Sequence, residues 1–252
     1  MVKLSVVIIT YNEERHLARC LDSVKEIADE IVIVDSSSTD NTTAIANRYN
    51  AKIVDQPFMG YGQQKNFANS QASNDWILSL DADEALTPEL IQSLKKIKLA
   101  PNNDAYELPR ITNYCGQWIK HCGWYPDHQT RLFNRTKGRW EEQMVHEYWK
   151  LNDSNAKKGL VKGDILHFSF DSISSHLKKI EKYTELAALD AVKKGKKAGL
   201  LKIIFSPIWH FISEYFIRLG FLDGFYGFII CRLSAYSAFV KYSKIRAYSQ
   251  KN

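Results

Sequence analysis

Leu4-Ser5-Val6-Val7-Ile8-Ile9-Thr10, followed at once by Tyr11-Asn12-Glu13-Glu14, decides the fold class of this chain. Seven uncharged residues rich in β-branched side chains describe a strand buried on both faces, which is the signature of a parallel sheet covered by helices. The abrupt change to polar residues marks the strand's carboxyl end. Leu17, Cys20, Leu21 and Val24 then recur at helical spacing, and Glu30-Ile31-Val32-Ile33-Val34-Asp35 is a second buried strand. The polar loop Ser36-Ser37-Ser38-Thr39-Asp40 leads to a helix through Tyr49, with Asp40 or Asn41 as its cap. Lys52–Asp55 is a short third strand, Gly60-Tyr61-Gly62 a turn, and Lys65–Gln71 a helix. Trp76-Ile77-Leu78-Ser79-Leu80 is a fourth strand, and Thr87-Pro88-Glu89 opens another helix with Thr87 as cap and Pro88 in the first position. Strand–helix alternation over a hundred residues predicts an α/β, doubly wound, mostly parallel sheet, in which ligands bind beyond the carboxyl ends of the strands.

Three polar segments fall at those ends: Tyr11–Glu14, Asp35–Asp40 and Asp81-Ala82-Asp83-Glu84. Two carboxylates leaving a strand can hold a hard divalent cation, Mg²⁺ or Mn²⁺, which keeps positions open for substrate phosphates. Asp83 and Asp81 are therefore the candidate metal ligands. Asp35 can accept hydrogen bonds from a base or ribose, Thr10, Tyr11, Asn12 and Glu13 can wall a nucleotide pocket, and Lys65 can reach a phosphate. No Walker A or GxGxxG loop is present, so phosphate handling falls to metal and lysine rather than to a glycine-rich backbone cradle. In isolation each of these residues has a plainer reading: helix caps or solvated acids for Asp81 and Asp83, a turn residue for Asp35, a solvated charge for Lys65. It is their order and placement that favours a site.

The chain has 252 residues, 45% hydrophobic and 25% charged, enough for one substantial domain with or without an appendage. Four scattered cysteines without a CxxC pair read as reduced thiols of a cytosolic protein; Cys115, Cys122, His121 and His128 match no standard zinc spacing. The N-terminus runs directly into a strand, without the layout of a signal peptide. Charge is uneven. Residues 193–252 carry eleven Lys/Arg against Glu214 and Asp223, a net +9, and the rest of the chain is −3. That end is also aromatic and aliphatic, and its longest uncharged stretch, Ile203–Ser213, is about half the ~20 residues of a spanning helix. We expect an amphipathic helical extension at a membrane surface. Basic residues interleaved with long aliphatics argue against nucleic acid. Ser172–Lys194 reads as an amphipathic helix with Ile173, Leu177, Ile180, Tyr183 and Ala187 on one face, ended by Lys193-Lys194-Gly195-Lys196-Lys197.

Val6–Glu14, Ile33–Thr42, Lys65-Asn66 and Asp81-Ala82-Asp83, four motifs in order over about ninety residues, resemble the GT-A glycosyltransferases of family 2. The family often has Asp-Asp-Gly-Ser-Thr-Asp in the second motif; here Asp35 is followed by Ser36, so no ribose role carries over to position 36. The resemblance implies a GT-A fold and an NDP-sugar donor, with Asp35 and the first loop at the nucleotide and Asp81 and Asp83 at the ribose and metal–diphosphate. It also implies an inverting displacement in which a general base deprotonates an acceptor hydroxyl. Arg131-Leu132-Phe133 before Val145-His146-Glu147, together with Phe221-Leu222-Asp223-Gly224 and Lys241-Tyr242-Ser243-Lys244, is similar to the bacterial subgroup that builds lipopolysaccharide core. This places Arg131 with the donor, Glu147 as base with Glu142 second, and His146 orienting acceptor or diphosphate. The expectation is a metal-dependent transferase acting on a lipid-linked or glycan acceptor. Residues 1–170 would form the donor-binding catalytic domain and 171–252 a basic helical extension, placing the enzyme in the cytoplasm at the inner face of the membrane. The competing reading is a catalytically silent nucleotide-sugar or membrane-surface binding module. A nucleotidyltransferase would need a glycine-rich loop where Tyr11–Glu14 stands.

Overall fold

The computed structural model describes residues 1–141, 148–153 and 156–250. The chain forms two compact units, Met1–Arg110 with Asp127–Phe168, and Ile111–Pro126 with the segment from Ser169 onward.

The first unit begins β1 (Leu4–Thr10), α1 (Leu17–Val24), β2 (Glu30–Asp35), α2 (Thr42–Arg48), β3 (Lys52–Asp55), α3 (Tyr61–Ser70), β4 (Trp76–Asp81), β5 (Glu84–Leu86) and α4 (Pro88–Leu99). The start of β6 (Ala105–Tyr114) follows. After β7 (Gln117–Ile119) in the second unit come β8 (Asp127–Asn134), β9 (Gly138–Glu141), β10 (Tyr148–Leu151), β11 (Lys158–Leu160) and most of β12 (Ile165–Phe170). The sheet order is β3-β2-β1-β4-β8-β6-β12-β5. β1 runs parallel to β2 and to β4, and β2 parallel to β3, whereas β8 joins β4 and β6 antiparallel. A parallel half is thus extended by an antiparallel half.

The apolar runs are continuous because each strand feeds two cores. Leu4, Val6 and Ile8 pack with Leu17 and Leu21 of α1 and Leu90 and Leu94 of α4, whereas Val7 joins Val32, Val34, Ile77 and Ala68 of α3 on the other face. Alternate side chains point to opposite faces, so two-sided coverage keeps the strands largely apolar; the buried Ser5 hydroxyl in β1 is satisfied by donating to Glu30 at 2.5 Å. Thr87 caps α4 as the sequence predicts: its hydroxyl accepts from the Leu90 N–H at 3.3 Å and the Asp164 N–H at 3.0 Å. Gly163 is required beside it, with φ +93° and space so tight that a Cβ would lie 2.2 Å from the Leu90 nitrogen. Two local expectations change. Tyr61 and Gly62 belong to α3 rather than to a turn. Asn41 occupies the cap position of α2 but its side chain donates to Glu14 at 2.9 Å rather than capping the helix, and Asp40 instead accepts from the Thr42 N–H at 3.0 Å.

The second unit contains β7, α5 (Ile173–Lys193), α6 (Leu200–Ile212), a π-helical turn at Ser213–Ile217, a 3₁₀ turn at Gly220–Asp223, and α7 (Gly224–Ser249). Ser172 and Ser175 close a capping box at the start of α5. The buried stripe of α5 is His176, Ile180, Thr184 and Ala188, while Ile173, Leu177 and Tyr183 are exposed, so the expected face is rotated. Both stripes have helical spacing; the contact with α7 selects the one with smaller side chains. The core of this unit joins Tyr114, Ile119 and Cys122 to Ile230 and Cys231. All four cysteines are free.

His176 stands 3.1 Å from the Tyr114 hydroxyl, and burial, helped by the Lys179 charge, takes its pKa from 6.5 down to about 4. The folded chain keeps it neutral while the unfolded chain binds a proton between those values. Stability therefore falls as pH drops from 6.5 toward 4, by up to about 3 kcal/mol, and is flat above. Denaturant midpoints between pH 7 and 4.5 should drop more for the wild type than for His176→Gln; equal slopes would refute this origin.

Candidate active site

The carboxyl ends of β1, β2 and β4 lie side by side, with Thr10 opposite Asp35 and Ile9 opposite Asp81. Neighbouring strands are about 4.8 Å apart, so residues distant in sequence meet here. The Thr10 hydroxyl donates to Asp35 Oδ1 at 2.7 Å, and the Ser38 hydroxyl and N–H donate to the same carboxylate at 2.6 and 2.7 Å. Asp35 is buried and uses three of its roughly four acceptor positions to hold the second loop. The first and second loops are tied directly. Asn12 Oδ1 accepts from the Thr39 N–H, the Asn12 N–H donates to Ser38, and the Glu13 N–H donates to Thr42, each at 2.8 Å. Asn12 and Ser37 both adopt positive φ, near 54° and 60°, so the two tips are held in left-handed backbone. Tyr11 projects from this scaffold and is 61% exposed.

Beside the loops lies a buried charge network. Asp81 Oδ1 meets the Lys65 ammonium at 3.0 Å, and Oδ2 meets Arg131 at 2.5 Å. The same Arg131 nitrogen reaches Glu84 at 2.7 Å, Arg110 reaches Glu84 at 3.0 Å, and Arg110 also grips Asp127 at 2.6 Å. Lys65, Arg131 and Glu84 are each 2% exposed or less. Glu84 further accepts from the Asp81 N–H at 3.0 Å, which locks the turn between β4 and β5. Burial alone would raise the Asp81 pKa; the charges of Arg131 and Lys65 overcome it and hold the carboxyl well below its ordinary value. Among the described residues three carboxylates face three cations, which balances the charges of this group.

Asp83 faces a histidine. Its Oδ2 lies 3.3 Å from His167 Nε2, and its carbonyl accepts from the Phe168 N–H at 2.9 Å. Both side chains are partly open, at 23% and 16% exposure. Two cis ligands about 2.1 Å from an octahedral cation are about 3.0 Å apart, so the pair fits two positions of one metal and leaves the rest for phosphate and water. Among the described residues no three His, Cys, Asp or Glu side chains gather into a metal-holding group.

Of the residues expected from sequence, Thr10, Asn12, Glu13 and Asp35 meet at the paired loops. Lys65, Asp81 and Arg131 meet in the network, and Asp83 faces His167. Glu142, His146 and Glu147 lie outside the described residues. Sequence reasoning missed Glu84 as a hub, its partner Arg110, and His167. It also missed the work of Asn66, whose amide brackets the Trp140 backbone by donating to its carbonyl at 2.8 Å and accepting from its N–H at 2.9 Å. His167 had one usable signal, a lone histidine inside the apolar strand Ile165–Phe170.

A family model described as glycosyl transferase family 2 matches residues 5–154. An uncharacterized glycosyltransferase of Rickettsia typhi is 35% identical over 261 residues, covering 100% of this chain and 89% of its own length. The lipopolysaccharide core biosynthesis glycosyltransferase LpsC of Rhizobium meliloti is 34% identical over 256 residues, covering 96% and 91%. Among solved structures, residues 1–349 of S. aureus TarS align over 99% of this chain and 92% of that one, with 16% identity and a TM-score of 0.46. With the family match spanning more than half of the chain and full-length relatives above 30% identity, this protein belongs to glycosyl transferase family 2 and is a glycosyltransferase of GT-A α/β architecture with a C-terminal helical extension.

Proposed function

We propose that this enzyme moves a sugar from an NDP-sugar to a hydroxyl of a lipid-linked or lipopolysaccharide-type glycan, with inversion and with Mg²⁺ or Mn²⁺. The observation that carries the metal reading is the Asp83–His167 pair, 3.3 Å apart beside the joined loops of β1 and β2. The kind of acceptor is taken from the name of the LpsC relative. Residues 1–170 serve donor and catalysis, and 171–252 hold the enzyme to the inner face of the cytoplasmic membrane.

In this reading the Tyr11–Glu13 loop and Asp35 receive the nucleoside, Tyr11 through its exposed ring. Asp83 and His167 hold the cation, which when bound neutralises the departing diphosphate. Lys65 and Arg131 keep Asp81 ionised and fixed at the edge of the site, so that Asp83 is presented from a rigid turn. The acceptor oxygen attacks the anomeric carbon on the face opposite the diphosphate. The C–O bond to the diphosphate breaks, and the hydroxyl proton passes to Glu147, with Glu142 as second candidate and His146 orienting acceptor or diphosphate.

A thermal-shift panel of nucleoside diphosphates and NDP-sugars, with and without Mn²⁺, identifies the donor, because a ligand at 100 times its Kd stabilises by about 2.7 kcal/mol. With that donor, Glu147→Gln should leave the shift unchanged and lower transfer by about 10²–10⁴-fold. Full transfer by both Glu147→Gln and Glu142→Gln would remove the assigned bases. A shift without any turnover in the wild type would favour a silent binding module.

A further inference from the structure

We infer that the outward face of α6, of the 213–223 turns and of the first half of α7 lies in the interface of an anionic lipid bilayer, as a monotopic surface. This names the part of the molecule that would meet the membrane in the function proposed above. Sixteen large apolar side chains between Leu200 and Phe239 are exposed, among them Leu201 at 72%, Trp209 at 62% and Phe225 at 67%. Ile203 is the one buried residue of α6, and none of Ser213–Ile217 is buried. Soluble monomers rarely expose contiguous apolar surface on this scale. On α6 the outward side chains recur at 201, 205, 208 and 212, and on α7 at 225, 228, 236 and 239, so each helix contributes one face.

Charge selects the partner. The two acids of the region are withdrawn from the surface. Asp223, 6% exposed, accepts from the His121 N–H at 2.7 Å and meets its ring at 2.9 Å; the Glu214 side chain, 15% exposed, faces His210. The cations remain outside: Lys193, Lys194, Lys196 and Lys197 precede α6 in an exposed run, Lys202 and Arg218 are exposed, and Arg232 is exposed within the α7 stripe, its guanidinium 5.5 Å from the Phe211 ring. An apolar stripe edged with cations and stripped of anions matches acyl chains beneath anionic headgroups. A second copy would bring two +9 segments together instead.

The geometry favours lying in the plane over spanning. The opposite side of the same hairpin is committed to protein, with Phe211, Tyr215, Tyr226 and Ile229 packed on Tyr114, Ile119 and Cys122. A hairpin crossing the bilayer would carry this packed side, with the strand and loop residues behind it, into hydrocarbon. By length and composition alone Leu200–Ile217 could cross a membrane, so it is the protein-packed side that decides between the two.

The test is sedimentation of the whole protein with vesicles of phosphatidylcholine alone or with about 30% phosphatidylglycerol. Neither donor nor acceptor is present, so the result is independent of turnover. Binding should be at least tenfold stronger on the anionic vesicles, should weaken in 1 M salt, and should be released by alkaline carbonate. The triple variant Phe205→Ser, Trp209→Ser, Phe225→Ser should lose at least tenfold while keeping its circular dichroism spectrum. Should that variant misfold, brominated lipid should quench the wild type more than Trp209→Phe. The inference is overturned by no vesicle binding, by binding that the triple variant and Trp209→Phe leave unchanged, by resistance to carbonate, or by a wild-type dimer that the triple variant converts to monomer without vesicle binding.

Discussion

Asp83→Ala is expected to lower metal-dependent turnover of the nucleotide sugar by about 10³-fold or more while leaving the unfolding midpoint close to that of the wild type. A loss of that size corresponds to about 4 kcal/mol of transition-state stabilisation, within what a cation supplies to a leaving diphosphate. The fold should tolerate the change because the Asp83 side chain is partly open and the buried carboxylates that meet Lys65, Arg131 and Arg110 are other residues. Asp81, Glu84 and Asp127 balance Lys65, Arg131 and Arg110. Asp83→Asn keeps the shape and removes the charge, so it should resemble the alanine variant if cation binding is the role. His167→Ala should weaken Mn²⁺ activation without removing it, since one ligand remains. The measurement is initial rate against Mn²⁺ concentration for each variant; turnover by Asp83→Ala at the wild-type level would end the metal assignment.

The second large effect concerns stability. Glu84 has a side chain with 0% exposure and binds both Arg110 and Arg131. Glu84→Ala leaves two guanidinium groups without that carboxylate, and breaking a buried pair by removing one partner costs about 3–5 kcal/mol. At about 2–4 °C per kcal/mol for a chain of this size, the melting temperature should fall by roughly 6–20 °C. Glu84→Gln, which retains the acceptor oxygen, should lose less. Asp81 adds a dependence on pH. Its folded pKa lies below the ordinary 3.8, so its contribution is fully present above that value and is lost as pH falls through the lower, folded one. Acid titration of Asp81→Asn should therefore lack part of the wild-type loss below about pH 4. A Glu84→Ala protein that melts with the wild type would show that solvent reaches and compensates the network.

The central strands and the polar loops at their carboxyl ends were legible because two-sided burial writes itself as uninterrupted apolar runs, and strand ends as abrupt polarity. The cap at Thr87-Pro88 was legible because its chemistry is local. The division of labour inside Asp81-Ala82-Asp83-Glu84 was not. Two acids one residue apart look equivalent in sequence, yet Arg131 reaches Asp81 from fifty positions away and Lys65 approaches it from α3. His167 arrives on β12, where the antiparallel register sets it opposite Glu84. The rotated face of α5 has the same origin: periodicity offers more than one stripe, and the neighbouring helix chooses.

The basic, apolar end follows the same division. Its composition was readable as a preference for membrane, but its two acids look exposed in sequence, and only packing shows Asp223 and Glu214 turned away from the surface. Local sequence by itself determined which segments become strands and helices and where polar loops interrupt them, because burial and backbone geometry act within a few residues. Tertiary structure decided which carboxylate is neutralised and which stands beside a histidine, and which helix faces stay bare. Those depend on charges and surfaces that meet only once distant strands are paired and helices are packed.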